Sequence, residues 1–397
     1  MISKTNIPDG WKIHNLGHFM DFKNGVNASK ESYGKGVRFV NVMDVFKSNI
    51  LKKNLITGSV EISDKQKNEY SVKYGDILFN RTSETPGEIA YSSVYIDDEI
   101  ITFGGFVIRG RQKIDILSPD YAKYCFKDYY VRKDIIRKSQ GVVRSNIGQK
   151  DLNKVNILIP PKTEQEAIAE ILEKWDEAIE KTSKLIEAKK KGLKYLIARL
   201  INKSSYSRGR VSDFAIEVST RNKESKIERV LSVTNRNGFI LPEDRFERRI
   251  ASSDVSNYKI VEYGQYAYNP SRINVGSIAR LDQWNCGALS PMYTIFDLND
   301  KKIDSDYFLH WLSSTEAKQR IKNSSQGSVR ETVGFSDFGL IPIPIPNLQK
   351  QQEIAKTLNT AKKEITILEE ILAKYKSQKK GLMQKLLTGK IRVNNIN

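Results

Sequence analysis

Apolar residues recur at alternating spacings of four and three positions along two long stretches of the chain. We call these positions the seam. In the first stretch, from Thr163 to about Ile201, the seam consists of Ile168, Leu172, Trp175, Ile179, Thr182, Ile186, Lys189, Leu193, Leu196 and Leu200. In the second, from about Leu348 to Leu387, it consists of Ile354, Leu358, Ala361, Ile365, Leu368, Leu372, Tyr375, Lys379, Leu382 and Leu386. A seam of this length is typical of a coiled coil, so the pattern predicts two long helices that pair within the chain.

Shorter elements are predicted ahead of each long helix. β-like runs include Val37–Val42, Asp76–Phe79 and Val94–Ile96, and a single helical stretch is predicted at roughly Pro119–Lys138, with Pro in its first turn. A counterpart of that helix is predicted at roughly Ser305–Asn323. Each half of the chain therefore mixes strands with helices, and in each half an Ile/Pro strand leads into the long helix.

The chain nearly repeats itself. At an offset of 186 residues the matched pairs include Gln140/Gln326, Arg144/Arg330, Ile157/Ile343, Pro160/Pro346, Gln165/Gln351 and Leu172/Leu358. Further upstream the offset is 189 residues, at Tyr74/Tyr263, Gly75/Gly264, Asn80/Asn269 and Gly87/Gly276. A period this long indicates a duplicated module of domain size and not a solenoid unit. Because the segments between the matches differ widely, the two copies are suited to recognising two related but unequal targets.

The order of these elements predicts the architecture. We expect an α+β (mixed α/β) fold with two globular recognition domains in a pseudo-twofold arrangement, joined by two long antiparallel helices that form a coiled coil. The expected limits are residues 1–160 for the first globular domain, 161–203 for the first helix, 204–346 for the second domain, and 347–397 for the second helix and C-terminal tail. At 1.5 Å per residue each helix would be about 60 Å long.

Charge indicates the kind of partner. The formal net charge is +18, and Lys and Arg are spread along the whole chain. Such a field favours polyanions, namely DNA, RNA or an anionic membrane surface. The apolar runs are too short to span a bilayer, the N-terminus lacks the apolar core of a signal peptide, and there are only two cysteines. We therefore expect a cytoplasmic protein with reduced thiols that is not bound to a membrane.

The sequence contains no recognisable catalytic motif. There is no glycine-rich phosphate loop and no dinucleotide fingerprint, and the chain has only three histidines. The segment Asn269–Arg272 is superficially similar to the Asn-Pro-Pro-aromatic motif of amino-methyltransferases, but it lacks the second proline and the aromatic ring that would stack on a flipped base. We therefore predict no catalytic residue and no metal site.

Four segments in their order along the chain carry a family resemblance. They are Ile7–Trp11, Pro160–Gln165, Tyr268–Asn274 and Lys380–Lys390. With the duplication, they make the chain resemble the specificity subunit of Type I restriction–modification enzymes over essentially its full length. The resemblance implies two target recognition domains, each reading half of an asymmetric bipartite site in double-stranded DNA, with the helices fixing the spacer between the half-sites.

The resemblance also implies partners. Two methyltransferase (modification) subunits would dock on the helical core, and restriction (translocase/nuclease) subunits would join through them. S-adenosylmethionine, ATP and magnesium would belong to those partners and not to this chain, which would be non-catalytic by itself.

Candidate DNA-binding residues are polar side chains on glycine-flanked loops, because Arg and Lys can pair with guanine, and Asn and Gln with adenine. They are Asn80, Arg81, Thr82, Ser83, Gln140, Arg144, Ser145 and Asn146 in the first copy, and Arg236, Asn269, Ser271, Arg272, Asn274, Gln326 and Arg330 in the second. Residues shared by both copies, such as Arg144 and Arg330, cannot explain different half-sites and are expected to hold phosphate or shape the fold. Unshared residues such as Arg81 and Arg272 are the better candidates for contacts with bases.

Two other classes of function stay open at this point. One is a non-catalytic scaffold of basic heads on a coiled-coil rod, against which the divergence of the two copies counts. The other is the targeting module of a DNA methyltransferase or nuclease, against which the missing cofactor loop counts.

Overall fold

The computed structural model describes residues 7–141, 144–244, 254–325 and 332–393. The chain divides into two compact units: unit 1 comprises Met1–Lys181 and Ile371–Asn397, and unit 2 comprises Thr182–Glu370. Each unit therefore contains a globular part and about half of each long helix. The domain limits expected from the sequence keep each helix whole, and they stay a prediction.

Unit 1 builds its globular part from short strands and short helices. The strands are β1 (Lys12–Asn15), β2 (Met20–Asn24), β3 (Tyr33–Val40), β4 (Ile50–Leu51), β5 (Ser59–Val60), β6 (Ile77–Asn80), β7 (Thr82–Ser83), β8 (Ser92–Tyr95), β9 (Thr102–Phe103), β10 (Val107–Gln112), β11 (Ser145–Asn146) and β12 (Asn156–Ile159). The helices are α1 (Leu16–Phe19), α2 (Val42–Lys47), α3 (Asp64–Glu69), α4 (Pro119–Cys125), α5 (Tyr129–Lys138), α6 (Gln149–Asn153) and the long α7 (Lys162–Ile201).

The strands of unit 1 form one five-stranded sheet, in the order β2-β10-β6-β8-β4, and a three-stranded sheet, β5-β3-β9. Two further pairs, β1-β12 and β11-β7, lie outside these sheets. Strand β6 is buried along its whole length. The Phe79 ring meets the edge of the Phe126 ring, with centroids 5.0 Å apart, so the sheet packs against the turn that follows α4.

Unit 2 has a similar set of elements. Its strands are β13 (Arg208–Arg210), β14 (Ala215–Val218), β15 (Ser232–Thr234), β16 (Gly238–Ile240), β17 (Lys259–Glu262), β18 (Tyr266–Tyr268), β19 (Ile278–Arg280), β20 (Cys286–Leu289), β21 (Thr294–Leu298) and β22 (Pro342–Pro344). Its helices are α8 (Ser305–Ser313), α9 (Thr315–Ser325), α10 (Phe335–Gly339) and the long α11 (Leu348–Leu387). The main sheet has the order β14-β21-β18-β19, and three two-stranded pairs, β13-β22, β15-β16 and β17-β20, complete the unit.

A buried glutamine holds the start of the long helix in unit 1. Gln165 is 1% exposed, and its side-chain oxygen accepts a hydrogen bond from the backbone N–H of Ser118 at 2.8 Å. Its side-chain nitrogen donates to the carbonyl oxygens of Ile116, at 2.9 Å, and Pro160, at 3.0 Å. One side chain therefore joins the first turn of α7 to Pro160, at the end of the preceding Ile/Pro segment, and to the loop ahead of α4.

Unit 2 repeats this arrangement residue for residue at the offset of 186. Gln351, also 1% exposed, accepts from the backbone N–H of Asp304 at 2.8 Å. It donates to the carbonyl oxygens of Pro346, at 2.9 Å, and Lys302, at 3.4 Å. We call these two glutamines the corner glutamines. Their equivalence shows that the duplication seen in the sequence extends to the hydrogen bonds of the fold.

The two long helices are confirmed, and within each unit their halves run in opposite directions. In unit 1, Glu164 near the start of α7 accepts two hydrogen bonds from Arg392, which follows the end of α11, at 2.8 and 2.9 Å. Further along, the rings of Trp175 and Tyr375 meet edge to face with centroids 5.8 Å apart. In unit 2 the ion pair Lys189–Glu364, at 2.7 Å, joins the other halves.

The single helix expected at Pro119–Lys138 is wrong, because the chain forms α4 and α5 with a break between them. Asp128 caps α5, accepting hydrogen bonds from the backbone N–H groups of Tyr130, at 2.9 Å, and Val131, at 3.0 Å. The counterpart in unit 2 is also broken, at Ser314, whose hydroxyl accepts from the N–H of Ala317 at 3.1 Å. In both units a short polar side chain competes with continuation of the helix.

Replacing Asp128 with asparagine is expected to flatten the dependence of stability on pH. Asp128 is 6% exposed, and burial raises the pKa of its carboxyl from 3.8 to about 6, although the backbone hydrogen bonds act in the opposite direction. As the pH rises, the Asp128 carboxyl therefore loses its proton at a lower pH in the unfolded chain than in the folded one. The free energy of unfolding consequently falls by about 2–3 kcal/mol between pH 4 and 7. An asparagine at this position would keep the cap without the charge.

Urea unfolding of both proteins at pH 4, 5, 6 and 7 measures this difference. The variant should gain stability relative to the parent as the pH rises through 6. Parallel pH profiles for the two proteins would show that ionisation of Asp128 does not destabilise the folded protein.

Among the described residues, no helix combines the length and the apolar character needed to cross a bilayer.

Candidate nucleic-acid interface

The two candidate segments of unit 1 meet although about sixty residues separate them. Strands β7 and β11 pair antiparallel, with Thr82 opposite Asn146 and Ser83 opposite Ser145. The ladder continues at one end, where the backbone N–H of Ile147 donates to the carbonyl of Arg81 at 3.0 Å. We call this surface, formed by Arg81–Ser83, Gln140 and Arg144–Asn146, the β7–β11 patch.

Within the patch, the side chains of Gln140, Arg144 and Asn146 are exposed, whereas those of Arg81 and Thr82 are half-buried. Arg144 forms an ion pair with Glu84 at 3.0 Å, and both side chains are more than half exposed. An exposed pair of this kind contributes little to stability, so Arg144 can exchange Glu84 for another anion at small cost. The patch therefore presents hydrogen-bonding groups and a cation to solvent.

Three candidate residues of unit 1 are buried. Asn80 is fully buried and donates to the carbonyl of Thr82 at 3.1 Å; Ser83, 8% exposed, accepts from the N–H of Thr85 at 3.1 Å; and Ser145 is 5% exposed. Burial argues against direct contact between these side chains and DNA. Their hydrogen bonds and packing favour the other role considered for shared positions such as Asn80, which is to shape the loop.

In unit 2 the candidates lie on the segment Asn269–Gly276, which we call the β18–β19 loop. The Asn269 side-chain oxygen accepts from the N–H of Ser271 at 3.0 Å, which folds the loop back on itself. Ser271 and Arg272 are exposed and Asn274 is half-buried. Gly276 ends the loop with φ +93°, a conformation that favours glycine.

Arg236 belongs to the neighbourhood of this loop. It is exposed in the turn between β15 and β16, and Thr234 at the start of that turn lines a cavity of about 120 Å³ together with Asn269 and Arg272. The hydroxyl of Ser277, just after the loop, donates to the carbonyl of Val233 at 2.7 Å. The strand that leads into the turn of Arg236 therefore packs against the β18–β19 loop.

One hydrogen bond shows that the patch and the loop are equivalent places. In unit 2 the N–H of Val333 donates to the carbonyl of Pro270 at 3.1 Å, as Ile147 donates to Arg81 in unit 1. The candidates Gln326 and Arg330 lie outside the described residues.

The polar motifs of the sequence did not indicate two exposed apolar side chains, Phe106 in unit 1 and Met292 in unit 2. Phe106 is 62% exposed, and its carbonyl accepts from the N–H of Arg81 at 2.9 Å; Met292 is 58% exposed. The signal that could have found them is the repeat itself, since the offset of 186 residues aligns Phe106 with Met292.

In the described parts of the chain, no group of three or more His, Cys, Asp or Glu side chains could hold a metal ion. His14 and His18 lie with ring centroids 6.3 Å apart, and burial, followed by the nearby charges of His18 and Lys12, lowers the pKa of His14. The exposed side chains described on the two surfaces carry amide, hydroxyl and guanidinium groups.

The two units are similar α/β folds, and each presents a polar and cationic surface segment and contains about half of both long helices. The sequence matches the family model of the Type I restriction modification DNA specificity domain at residues 8–190 and again at 257–376. The chain belongs to this family of Type I restriction–modification specificity subunits, which confirms the resemblance.

Relatives and solved structures agree with this assignment. The chain is 25% identical to a putative type I restriction enzyme MjaX specificity subunit of Methanocaldococcus jannaschii, an alignment that covers 98% of this chain and 95% of the relative. Its fold is similar to that of the type I restriction–modification S subunit of M. genitalium, with TM-score 0.57, 16% identity and coverage of 97% and 98%.

A further structural relative comes from a study of the complex assembly and conformational transition of the type I R-M system. The TM-score is 0.61 at 12% identity, and the match covers 97% of this chain and 100% of that one. At these identities the structural matches show the fold alone, and they confirm the mixed α/β class expected from the sequence.

Proposed function

We propose that this chain directs a Type I complex to an asymmetric bipartite site in double-stranded DNA, with the β7–β11 patch at one half-site and the β18–β19 loop at the other. The observation that carries the proposal is the equivalence of these two surfaces. The same backbone hydrogen bond supports both, yet the side chains differ: Arg81 and Thr82 in unit 1 correspond to Pro270 and Ser271 in unit 2. Equivalent frames with different side chains suit two related but unequal half-sites.

Charge supplies the affinity in this proposal. The net charge of +18 attracts duplex DNA, and exposed cations such as Arg144, Arg236 and Arg272 lie on the two surfaces. Phosphate contacts orient a protein on the duplex, and contacts with base edges select the sequence. We assign orientation to the cations that recur in both units and selection to the side chains that differ.

The long helices are proposed to set the spacer between the half-sites. Helices α7 and α11 each contain 40 residues, and each continues from one unit into the other. A helix of that length spans about 60 Å. The exposed sides of both helices would offer the docking surface for two methyltransferase subunits, through which the restriction subunits join. On this proposal the chain alone transfers no methyl group.

Expression of this chain with its methyltransferase subunit, in a host that lacks Type I systems, is expected to produce adenine methylation at a single bipartite motif with a fixed gap. Genome-wide mapping of methylated adenine measures the motif. Omission of this chain should abolish methylation at the motif, because no subunit would then bind the half-sites.

A continuous motif would contradict the assignment of one half-site to each unit. Assembly of the complex without any methylation would contradict the proposed function and favour a scaffold. Methyl transfer by the purified chain with S-adenosylmethionine and DNA would contradict its non-catalytic role.

A further inference from the structure

Phe106 and Met292 occupy the same place in the two units. Each is the third residue of a tight turn closed by an equivalent hydrogen bond: Val107 N–H donates to the Gly104 carbonyl at 2.8 Å, and Tyr293 N–H donates to the Ser290 carbonyl at 3.0 Å. Both side chains point to solvent, with exposed fractions of 62% and 58%. The duplication has therefore kept an exposed apolar side chain at this position while its identity has changed.

Both residues lie beside the surfaces assigned to the half-sites. In unit 1 the backbone N–H of Arg81 donates to the Phe106 carbonyl at 2.9 Å, so the two residues are directly joined. In unit 2, Tyr293 follows Met292 and lines the same cavity as Asn269 and Arg272. Each exposed apolar residue is thus linked within its unit to candidates for base contact, Phe106 by a backbone hydrogen bond to Arg81 and Met292 through its chain neighbour Tyr293.

The turns that carry these side chains are held on several sides. In unit 1, Gly104 N–H donates to the Val40 carbonyl at 3.1 Å, and Gly105 N–H donates to the Val26 carbonyl at 3.0 Å. In unit 2 the Tyr293 carbonyl accepts from the ammonium group of Lys259 at 2.7 Å. Both turns are therefore fixed in position before any ligand is bound, which lowers the entropic cost of contact.

A single exposed apolar residue is ordinary on a protein surface and needs no explanation. Three observations together distinguish this pair: the equivalent position in both units, the contact with or closeness to candidate base-reading residues, and the change from Phe to Met. Equivalent residues that contact the same partner, or that stabilise the fold common to both units, are expected to be the same in both units. Residues that read unequal half-sites must be free to differ.

The apolar feature that base edges offer in the major groove is the 5-methyl group of thymine. We infer that Phe106 and Met292 each contact a thymine methyl group, Phe106 in the half-site bound by unit 1 and Met292 in the half-site bound by unit 2. This inference rests on the proposed function and adds an apolar contact to the polar and cationic ones assigned above.

The test uses the full chain in complex with its methyltransferase subunits and duplexes that carry the mapped bipartite site. Each thymine of one half-site is replaced in turn by deoxyuridine, which lacks only the methyl group. Fluorescence anisotropy at fixed salt gives the dissociation constant of the parent, of Phe106→Ala and of Met292→Ala. At one position, deoxyuridine should weaken binding of the parent about 3- to 5-fold, the effect of losing one buried methyl group.

The inference is tested by combining each protein variant with each deoxyuridine replacement, because the two changes should not have independent effects on the dissociation constant if the side chain contacts that methyl group. In the half-site bound by unit 1, the deoxyuridine that weakens binding of the parent should not weaken binding of Phe106→Ala. In the half-site bound by unit 2, one deoxyuridine should weaken binding of the parent and of Phe106→Ala but not of Met292→Ala. Ile114→Ala is the matched control, because Ile114 is also exposed but follows the opposite end of strand β10. It should retain the full deoxyuridine effect.

If the parent binds the bipartite duplex and every deoxyuridine effect persists in Phe106→Ala and Met292→Ala, the inference is wrong while the proposed function stands. A loss of methyltransferase binding in Phe106→Ala would also overturn it, because the residue would then serve the partner. If the parent shows no preference for the bipartite duplex, the proposed function itself fails, and the inference fails with it.

Discussion

Gln351→Leu will lower the free energy of unfolding of unit 2 by about 2–4 kcal/mol, since an unsatisfied buried polar group costs about 1–3 kcal/mol and the change leaves more than one. The leucine keeps most of the side-chain volume. It cannot accept from the N–H of Asp304 or donate to the carbonyl of Pro346, and Gln351 makes both bonds from a position that is 1% exposed. Urea unfolding followed by circular dichroism measures the loss.

The neighbouring residue provides the matched control. Gln352 lies in the same turn of α11 but is exposed, so Gln352→Leu should change stability by less than about 0.5 kcal/mol. Gln165→Leu should destabilise unit 1 by a similar amount to Gln351→Leu, because the corner glutamines make equivalent bonds. Equal stabilities of Gln351→Leu and Gln352→Leu would show that the hydrogen bonds of the Gln351 side-chain amide do not stabilise the start of α11.

Arg81→Ala will reduce the affinity of the assembled complex for its bipartite site by roughly 10- to 100-fold, the usual effect of removing an arginine that pairs with a base. The discrimination against changed base pairs should fall at one position of one half-site. Arg81 is expected to behave in this way because it lies in the β7–β11 patch and has no counterpart arginine in unit 2, where Pro270 stands.

Arg144→Ala should behave differently, because Arg144 recurs as Arg330. A phosphate contact weakens binding to all sequences alike and lowers the slope of log K against log salt by about 1. Binding titrations between 50 and 200 mM salt, on the cognate duplex and on duplexes with single base changes, separate the two behaviours. Arg137→Ala, which removes an exposed arginine paired with Asp134 on α5, is the control.

If Arg81→Ala weakens all duplexes equally, Arg81 holds phosphate and not a base. If both variants bind as the parent does, the β7–β11 patch is not part of the DNA interface.

The features predictable from the sequence are those encoded by periodicity and repetition. The seam predicted both long helices because residues such as Leu172 and Leu358 must be buried at regular spacing, and both are fully buried. The repeat likewise identified Gln165 and Gln351 as matching positions. Both signals depend on local spacing, which a single sequence contains.

Features that depend on contacts between distant residues were not predictable. The pairing of Thr82 with Asn146 joins segments about sixty residues apart, and Asn80 is buried at the end of β6, where it pairs with Val107 of β10. The break at Asp128 was missed because an aspartate suits both an exposed helix position and a cap, and only its hydrogen bonds decide. The exposure of Phe106 was not predictable, because a phenylalanine is more often buried than exposed.

The division of the chain also has a consequence for the order in which the protein is made. Unit 2 is one continuous segment, whereas unit 1 includes the last residues of the chain, and its core contains Leu386 and Leu387. The buried carboxylate of Glu164 forms an ion pair with Arg392. The core of unit 1 is therefore complete only when residues 382–393 have been synthesised, and these residues follow all of unit 2 along the chain.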